Sequence, residues 1–348
     1  MKIIRKIKKG VKAIIFAVLL LLIAINLPII SVKNEESTND FSNWMSESLS
    51  SETKVTEVKM IGAHDAFSKE INLFSKVDEL SAPTIMTGVP GTLIKGFLVR
   101  QSVTQIAETN KLLSSGVRYL DIRLTKTGDV WKTKHNFIAS DFKHIVEDIV
   151  LFLDENPGEF LVLDFQHIHG VDYDSTNDYT SFYSMLEDYG LIDYSYYDDS
   201  SIDDLTYGEV TSDKVSSRVL IIDKFEVGDK STYNYNETIR SSWANSDNFE
   251  DVVEFLEAER LVIEGSTSIN GFNVMQAVTT MSMSPSGIIN SFKTWSLVER
   301  AERFNEYLLD CENLELLMES MPIVMVDYAT DKEFVDEIME LIIDLNQG

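Results

Sequence analysis

Polar side chains that could carry acid–base chemistry lie at the ends of short apolar segments of this sequence. His64 and Asp65 end the first segment, and His135 ends another further along the chain. An imidazole titrates near neutral pH, so two histidines in such positions are candidates for a general base and a general acid. Other polar residues end the neighbouring segments: Asp121 and Arg123, Asp164 and Gln166, Lys224, and Asp327 with Tyr328.

The spacing within two of these segments adds to the prediction. Asp121 and Arg123 are two residues apart, as are Asp164 and Gln166. Because side chains alternate between the two faces of a strand, the members of each pair can project from one face. A structural salt bridge or hydrogen bond would explain either pair alone, whereas the combination with two histidines indicates a reactive site.

The segments that must position these residues are rich in β-branched side chains and alternate with amphipathic stretches. This pattern predicts a mostly parallel sheet, and polar groups at the strand ends favour a distorted (β/α)8 barrel of the TIM type. A doubly wound sheet stays open on periodicity alone, although no Gly-x-Gly-x-x-Gly or Walker sequence follows a strand. An eighth strand is not placed. The seven segments are Val58–His64, Val117–Thr125, Val130–His135, Phe160–His167, Arg218–Phe225, Leu261–Ile269 and Pro322–Ala329.

The first 32 residues are typical of a membrane or export segment. A basic stretch over residues 1–12 precedes an apolar run from Ala13 to Val32, and a helix of about 20 residues spans the roughly 30 Å hydrocarbon core. We predict a single-pass cell-membrane protein with an extracellular catalytic domain, because flanking lysines keep an N-terminus cytoplasmic. A cleaved signal sequence and secretion is the alternative. Residues 33–54 are predicted to be a polar tether, and residues 55–348 one barrel domain.

The charge of the chain limits its partners. Six of the 30 basic residues lie within residues 1–12 and none of the 57 acidic residues precedes Glu35, so the remainder has 57 acidic against 24 basic residues, about −33. Nucleic acid is not an expected partner, since phosphate binding needs a basic face. Cys311 is the single cysteine and forms no intrachain disulfide. We expect a monomer that meets its substrate at a membrane surface.

Two motifs resemble signatures of the phosphatidylinositol-specific phospholipase C X domain. Residues 62–65 (GAHD) are similar to its Gly-x-His-Asp/Asn turn, and residues 116–124 (GVRYLDIRL) to its Gly-x-Arg-x-x-Asp-x-Arg strand. His135 stands where the family places its second histidine, while residues 160–167 and 323–328 resemble two later strands. The resemblance covers roughly residues 55–345. It implies cleavage of phosphatidylinositol-type lipids to diacylglycerol and a cyclic inositol phosphate.

The resemblance also implies roles for the matched residues. His64 would be the general base that deprotonates the inositol 2-hydroxyl, and His135 the general acid that protonates the departing diacylglycerol oxygen. Asp327 would orient the His64 ring. Arg123 stands where calcium-dependent members carry a carboxylate ligand and metal-independent bacterial members carry arginine. We therefore expect no metal and no cofactor, with Arg123 stabilising the phosphate and the carboxylates of Asp65 and Asp121 anchoring it.

Three further residues are expected to contact substrate. Gln166 replaces the lysine of bacterial members and can exchange hydrogen bonds with hydroxyl groups. Lys224 falls where a basic contact to inositol is expected, and Tyr328 follows Asp327 directly. Asn136 replaces a usual glycine after the second histidine. These departures concern the lipid head group, free or glycosylated, more than the reaction class.

Other interpretations of the same residues stay open. The spacing of Asp164, His167 and His169 permits a metal site, although alternation places both histidines on the face opposite Gln166, towards the helices. Aromatic residues near the barrel mouth could stack on a sugar or meet lipid, or could simply pack in loops: Tyr194, Tyr196, Tyr197 and Trp243. A catalytically silent lipid- or sugar-binding module and a barrel of the glycerophosphodiester phosphodiesterase type are the alternative functions.

Overall fold

Eight parallel strands curl into most of a barrel, and a hairpin extends from one of them. The computed structural model describes residues 2–27, 30, 32–80, 82–228, 230–266, 271–281 and 294–348. The ten strands are β1 Met60–Ala63, β2 Val117–Thr127, β3 Val130–His135, β4 Phe137–Asp141, β5 Phe160–His169, β6 Arg218–Asp223, β7 Tyr233–Asn234, β8 Ile239–Ser242, β9 Phe272–Ala277 and β10 Ile323–Val326.

The strands follow the order β7-β6-β5-β2-β1-β10-β9-β8 around the sheet, and neighbours on this path are parallel. Among the described residues no backbone pairing joins β7 to β8, so the barrel is open at this seam. The predicted distorted (β/α)8 barrel is confirmed. Of the described strands, the sequence did not reveal β4, β7, β8 and β9; β7 and β8 are two and four residues long and therefore too short to show alternation.

Helices precede the barrel and cover its outer surface. They are α1 Lys2–Ile25, α2 Trp44–Ser48, α3 Gly88–Leu93, α4 Lys95–Arg100, α5 Thr109–Ser114, α6 Phe142–Glu155, α7 Thr176–Asp188, α8 Tyr207–Thr211, α9 Tyr235–Thr238, α10 Phe249–Glu264, α11 Leu297–Leu309, α12 Leu314–Ser320 and α13 Lys332–Gln347.

One predicted strand is wrong. The segment Leu261–Ile269 begins inside helix α10, and the strand in this part of the chain is β9; residues 267–270 lie outside the described residues. Helix α10 buries Val252 and Leu256 but leaves Leu261 and Val262 exposed. Leu261, Val262 and Ile263 near the end of the helix form a short apolar run, which periodicity cannot distinguish from a strand.

The predicted third strand lies off the barrel path. Strand β3 pairs antiparallel with β2, and β4 folds back on β3. Gly128, with φ of +64°, lies in the short turn between β2 and β3, where a left-handed backbone favours glycine. The hairpin brings His135 back to the end of β1, where its Nε2 lies 3.3 Å from Asp65 Oδ2.

Residues 33–54, expected to be a tether, pack against the barrel instead. The Arg118 guanidinium is fully buried and donates hydrogen bonds to Glu159 and to the carbonyl oxygens of Phe41 and Ser42. A buried guanidinium requires such acceptors, so this stretch completes the structure around Arg118. Three apolar side chains of the stretch are buried: Trp44, Met45 and Leu49.

The apolar part of the N-terminal helix is shorter than the predicted membrane span. Helix α1 ends at Ile25, and its first half contains the basic residues. From Ala13 onward its apolar part is about 20 Å long at 1.5 Å per residue, against about 30 Å of hydrocarbon. Within the part of the chain that the structure describes, no helix combines the length and apolarity needed to cross a membrane. The prediction of a single-pass membrane protein is therefore wrong; the cleaved signal stays a prediction.

Candidate active site

Three adjacent strands end side by side and bring the first candidate residues together. Strand β1 lies between β10 and β2, so His64 after β1 meets Asp327 after β10 and Asp121 in β2. His64 Nδ1 lies 2.7 Å from Asp327 Oδ1. The predicted orienting partner of His64 is therefore in hydrogen-bond contact with its ring.

The glycine of the first motif allows this close arrangement of strands. A Cβ atom at Gly62 would lie 3.1 Å from Tyr119 Cδ1 and 3.2 Å from the Cα of Met325. These distances are shorter than ordinary van der Waals contacts and one of them is to backbone. A larger side chain at position 62 would push β1 away from its neighbours and displace His64, which follows two residues later.

Arg123 lies at the centre of the acidic groups. Its Nε is 2.6 Å from Asp65 Oδ1, and its Nη2 is 3.0 Å from both Asp121 Oδ2 and His64 Nε2. Burial opposes the charged form, but the carboxylates of Asp121 and Asp65 outweigh it and raise the pKa of Arg123. The predicted shared face of Asp121 and Arg123 is observed, and the guanidinium is fixed and charged.

The same acidic and histidine side chains form a possible metal site. One ligand atom each from His64, Asp65 and Asp121 lie within 4.8 Å of one another, a cluster compact enough to hold an ion. The Arg123 guanidinium, however, contacts all three residues. A second cation at this position would meet electrostatic repulsion, so the donor set fits the guanidinium and does not fit a metal ion.

His135 is held from the other side. Its Nδ1 lies 2.9 Å from the carbonyl oxygen of Ser102, which follows helix α4, and its Nε2 lies 3.3 Å from Asp65. A carbonyl only accepts, so Nδ1 carries the hydrogen of this bond. The centroids of the His64 and His135 rings are 6.2 Å apart. Ser102 could not be predicted from the sequence, because a backbone acceptor leaves no side-chain signature.

A sharp turn follows each of the three candidate residues His64, His135 and Asp327. The next residue in each case has a left-handed backbone without being glycine, at a cost of about 1–3 kcal/mol each. These residues are Asp65 (φ 43°), Asn136 (φ 57°) and Tyr328 (φ 52°). The surrounding structure maintains the turns; for example, the Tyr328 amide donates to the Thr104 carbonyl over 2.8 Å.

The two histidines have different proton affinities. Burial alone would lower the pKa of His64, but the carboxylates of Asp65 and Asp327 raise it to about 9. For His135, burial outweighs the attraction of Asp65, and the pKa is lowered from its usual value. At neutral pH the free site therefore holds one proton on the pair, mainly on His64.

Strand β5 supplies the wall beside Arg123. Gln166 Nε2 donates to Asp164 Oδ2 over 3.2 Å and to Asp121 Oδ1 over 3.4 Å. Burial and the neighbouring Asp121 raise the pKa of Asp164 to about 8, and the Tyr119 hydroxyl donates to the same carboxyl group. Asp164 thus accepts hydrogen bonds from both Gln166 and Tyr119, and burial favours its neutral form.

His167 does not lie on the face that alternation predicted. Asp121 pairs with Asp164, but Arg123 pairs with His167, so β5 contains one extra residue between these positions. This bulge places His167 in the same cavity wall as Gln166. Burial, with Arg123 nearby, lowers its pKa to about 4. His169 instead contacts Asp78 at 2.9 Å, so the two histidines do not form the alternative metal site.

A cavity of about 510 Å³ opens over these residues. It reaches both histidines, Arg123, Gln166 and Asp327, with Trp243 on its rim and an apolar wall at Pro83, Met86 and Leu98. A larger cavity of about 1030 Å³, lined by residues 197–202, 226–227, 230, 232–234 and 236–240, contains none of the candidate catalytic residues. We therefore assign the smaller cavity as the candidate active site.

Two predicted substrate contacts are absent from this cavity lining. Lys224 places its Nζ 4.3 Å from the centre of the Tyr235 ring, and burial lowers its pKa. Tyr328 is fully buried and donates its hydroxyl to the Asn34 carbonyl oxygen over 2.9 Å. The prediction for Tyr328 is wrong, because the left-handed turn after Asp327 directs its ring into the core.

The curated proteins that the chain resembles include a phospholipase C and PI-PLC X domain-containing proteins. No family model matches the chain. The chain is 33% identical over 142 residues to the variant-surface-glycoprotein phospholipase C of Trypanosoma brucei brucei, covering 37% of this chain and 39% of that protein. It is 30% identical over 145 residues to the human PI-PLC X domain-containing protein 3, covering 40% of this chain and 45% of that protein. The matched part is thus less than half of these relatives.

Solved structures resemble the chain over most of its length. The phosphatidylinositol-specific phospholipase C of Listeria monocytogenes has a TM-score of 0.55 at 17% identity, covering 89% of this chain and all of that one. A mutant of the Staphylococcus aureus enzyme has a TM-score of 0.59 at 15% identity, covering 90% and 98%. At such identities the likeness concerns the fold.

Proposed function

Since this chain belongs to the phosphatidylinositol-specific phospholipase C X-domain family, we propose that it is a phosphodiesterase that cleaves phosphatidylinositol-type lipids. The observation that carries the proposal is the arrangement of two histidines around Arg123, each with its own orienting partner. The products would be diacylglycerol and a cyclic inositol phosphate. The enzyme would act as a monomer on lipid at a membrane surface.

The reaction uses the two imidazoles in sequence. In the reactive form the shared proton lies on His135, so His64 Nε2 is free to take the proton of the inositol 2-hydroxyl, whose oxygen then bonds to the adjacent phosphorus. The bond from phosphorus to the diacylglycerol oxygen breaks, and His135 donates the proton that this oxygen needs. Asp327 holds the His64 ring and stabilises the imidazolium that forms, as a carboxylate does in other acid–base pairs.

Arg123 supplies the positive charge for the phosphate. Phosphoryl transfer spreads negative charge over the non-bridging oxygens, and a planar guanidinium with several donors matches them. Asp65 and Asp121 anchor the guanidinium, so its orientation is set before substrate binds. We therefore propose that the reaction is independent of calcium and other metals.

The activity is tested by release of water-soluble inositol phosphate from phosphatidylinositol micelles. We expect turnover by the wild type and a loss of about 10²–10⁴-fold in kcat for His64→Ala, the range of general acid–base catalysis. Unchanged turnover in the variant would contradict the catalytic assignment. No turnover of any inositol lipid by the wild type would favour a silent binding module.

The role of Arg123 is tested with Arg123→Lys and with EDTA. Lysine keeps the charge but loses the fork, so kcat should fall by about 10²–10³-fold, as for the loss of one oxyanion donor. EDTA should leave wild-type turnover unchanged. Strict dependence on added calcium would exclude the proposed role of the guanidinium, while leaving the two histidines assigned as before.

A further inference from the structure

The chain immediately before the barrel lies against the loop that carries Asp327. We call residues 33–37 the N-terminal strap and residues 327–332 the Asp327 loop. Two hydrogen bonds join the strap to this loop. The Tyr328 hydroxyl donates to the Asn34 carbonyl over 2.9 Å, and the Ser37 amide donates to the Thr330 carbonyl over 2.9 Å. The strap therefore binds this loop through main-chain atoms near both ends of the strap.

Further hydrogen bonds connect the strap to the rest of the Asp327 loop. Asn34 Nδ2 donates to Asp331 Oδ1 over 3.1 Å, and the Lys332 amide donates to the Glu35 carbonyl over 2.9 Å. The strap is in turn fixed to helix α11, where Glu302 accepts hydrogen bonds from the backbone amides of Lys33 and Asn34. Glu302 is buried, so these charge-assisted bonds are shielded from water.

The Asp327 loop has little freedom once these bonds form. Gln105 accepts a hydrogen bond from the Ala329 amide and donates to the carbonyl oxygens of Val326 and His64. Asn305 donates to the Asp327 carbonyl over 3.1 Å. Tyr328 itself has a strained left-handed backbone, which persists only where its surroundings enforce it. The Tyr328 hydroxyl bond to Asn34 is the connection nearest to Asp327 that the strap provides.

We propose that the N-terminal strap is a positioning element of the active site, which holds the Asp327 carboxylate against His64 through Tyr328. Tyr328 and Glu302 are then positioning residues that touch no substrate. A stretch that looks like a spacer in the sequence thus sets the geometry of the base. This inference rests on the proposed function for its kinetic readout, but its structural readout is independent of any activity.

The test compares variants of the full-length chain. Tyr328→Phe removes one hydroxyl and keeps the buried ring. Glu302→Met removes the carboxylate that accepts hydrogen bonds from the strap amides, and Glu302 lies on α11 rather than in the loop. Glu306→Gln is the matched control, because Glu306 is also on α11 but contacts the strap through the exposed Lys33 ammonium, at 2.9 Å, where an ion pair contributes little. Thermal unfolding monitors the fold of each variant.

The measurements are kcat and KM on phosphatidylinositol and the titration of the His64 ring by NMR. We expect Tyr328→Phe and Glu302→Met to lower kcat about tenfold with KM unchanged, which corresponds to about 1.4 kcal/mol. The His64 pKa should fall towards its ordinary value, because the Asp327 carboxylate moves away. Glu306→Gln should match the wild type in both measurements.

Two results would overturn the inference. One is a wild-type His64 titration in both variants, whatever their turnover, because the strap would then have no effect on the base. The other is an equal change in Glu306→Gln, which would indicate a general effect of the surface of α11. If the wild type has no activity on inositol lipids, the proposed function fails, and the His64 titration still decides the role of the strap.

Discussion

The two histidines of the site lie in contrasting surroundings. His64 follows a central barrel strand and has a carboxylate partner, Asp327, with Asp65 nearby. His135 lies on a hairpin outside the barrel path, and its Nδ1 partner is the neutral carbonyl of Ser102. The first setting raises the pKa of its imidazole to about 9, whereas burial lowers the pKa of the second.

This difference fits the two roles in the proposed reaction. A base gains positive charge as it accepts a proton, and the carboxylate beside His64 stabilises that charge. An acid loses positive charge as it donates, and the buried surroundings of His135 favour that loss. In the free site the shared proton lies mainly on His64, whereas the reaction starts with that proton on His135. Both arrangements have the same net charge, so no proton has to enter or leave the site.

The largest expected effect separates the roles of the two rings. His135→Ala should lower kcat on phosphatidylinositol by about 10³-fold, within the range of general acid catalysis. With an aryl ester such as p-nitrophenyl inositol phosphate, most of this loss should disappear, because an aryloxide departs without a proton. His64→Ala should stay slow on both substrates. Equal losses for both variants on the aryl ester would contradict the assignment.

A smaller effect is expected when the contrast between the rings is reduced. Asp327→Asn should lower kcat about 10–100-fold, as for the loss of other groups that orient a histidine. In the wild type, kcat/KM should fall as pH rises through about 9, where the histidine pair loses its last proton. Without the Asp327 carboxylate the His64 pKa is lower, so this decline should begin at lower pH. A decline at unchanged pH would show that another group titrates there.

The smallest effect is expected at His167. Its imidazole is neutral at physiological pH and faces the cavity beside Gln166, where it can exchange hydrogen bonds with substrate hydroxyls. His167→Ala should raise KM several-fold with little change in kcat, since about 1 kcal/mol is lost with one hydrogen bond. The exposed His144 provides the control as His144→Ala. A loss in kcat alone would assign His167 to the reaction rather than to binding.

Much of the site was predictable because it depends on short-range rules. The positions of His64, Asp327 and Arg123 follow from strand ends and from alternation within a strand, and the structure brings these three together. The predicted face of His167 was wrong, because one extra residue in β5 reverses the alternation and is not visible in the sequence. The prediction that Tyr328 contacts substrate failed, because a left-handed turn reverses the direction expected of its side chain.

The sequence by itself determined the (β/α) pattern, the paired motifs around His64 and Arg123, and the chemistry that their residue types allow. Tertiary structure alone decided which long-range partners complete the site: Ser102 behind His135, Gln105 between two strands, and the N-terminal strap behind Asp327. Many of these contacts use main-chain carbonyls and amides, which every residue carries. These contacts become specific only when the fold brings distant segments together, so they cannot be predicted from the residue types.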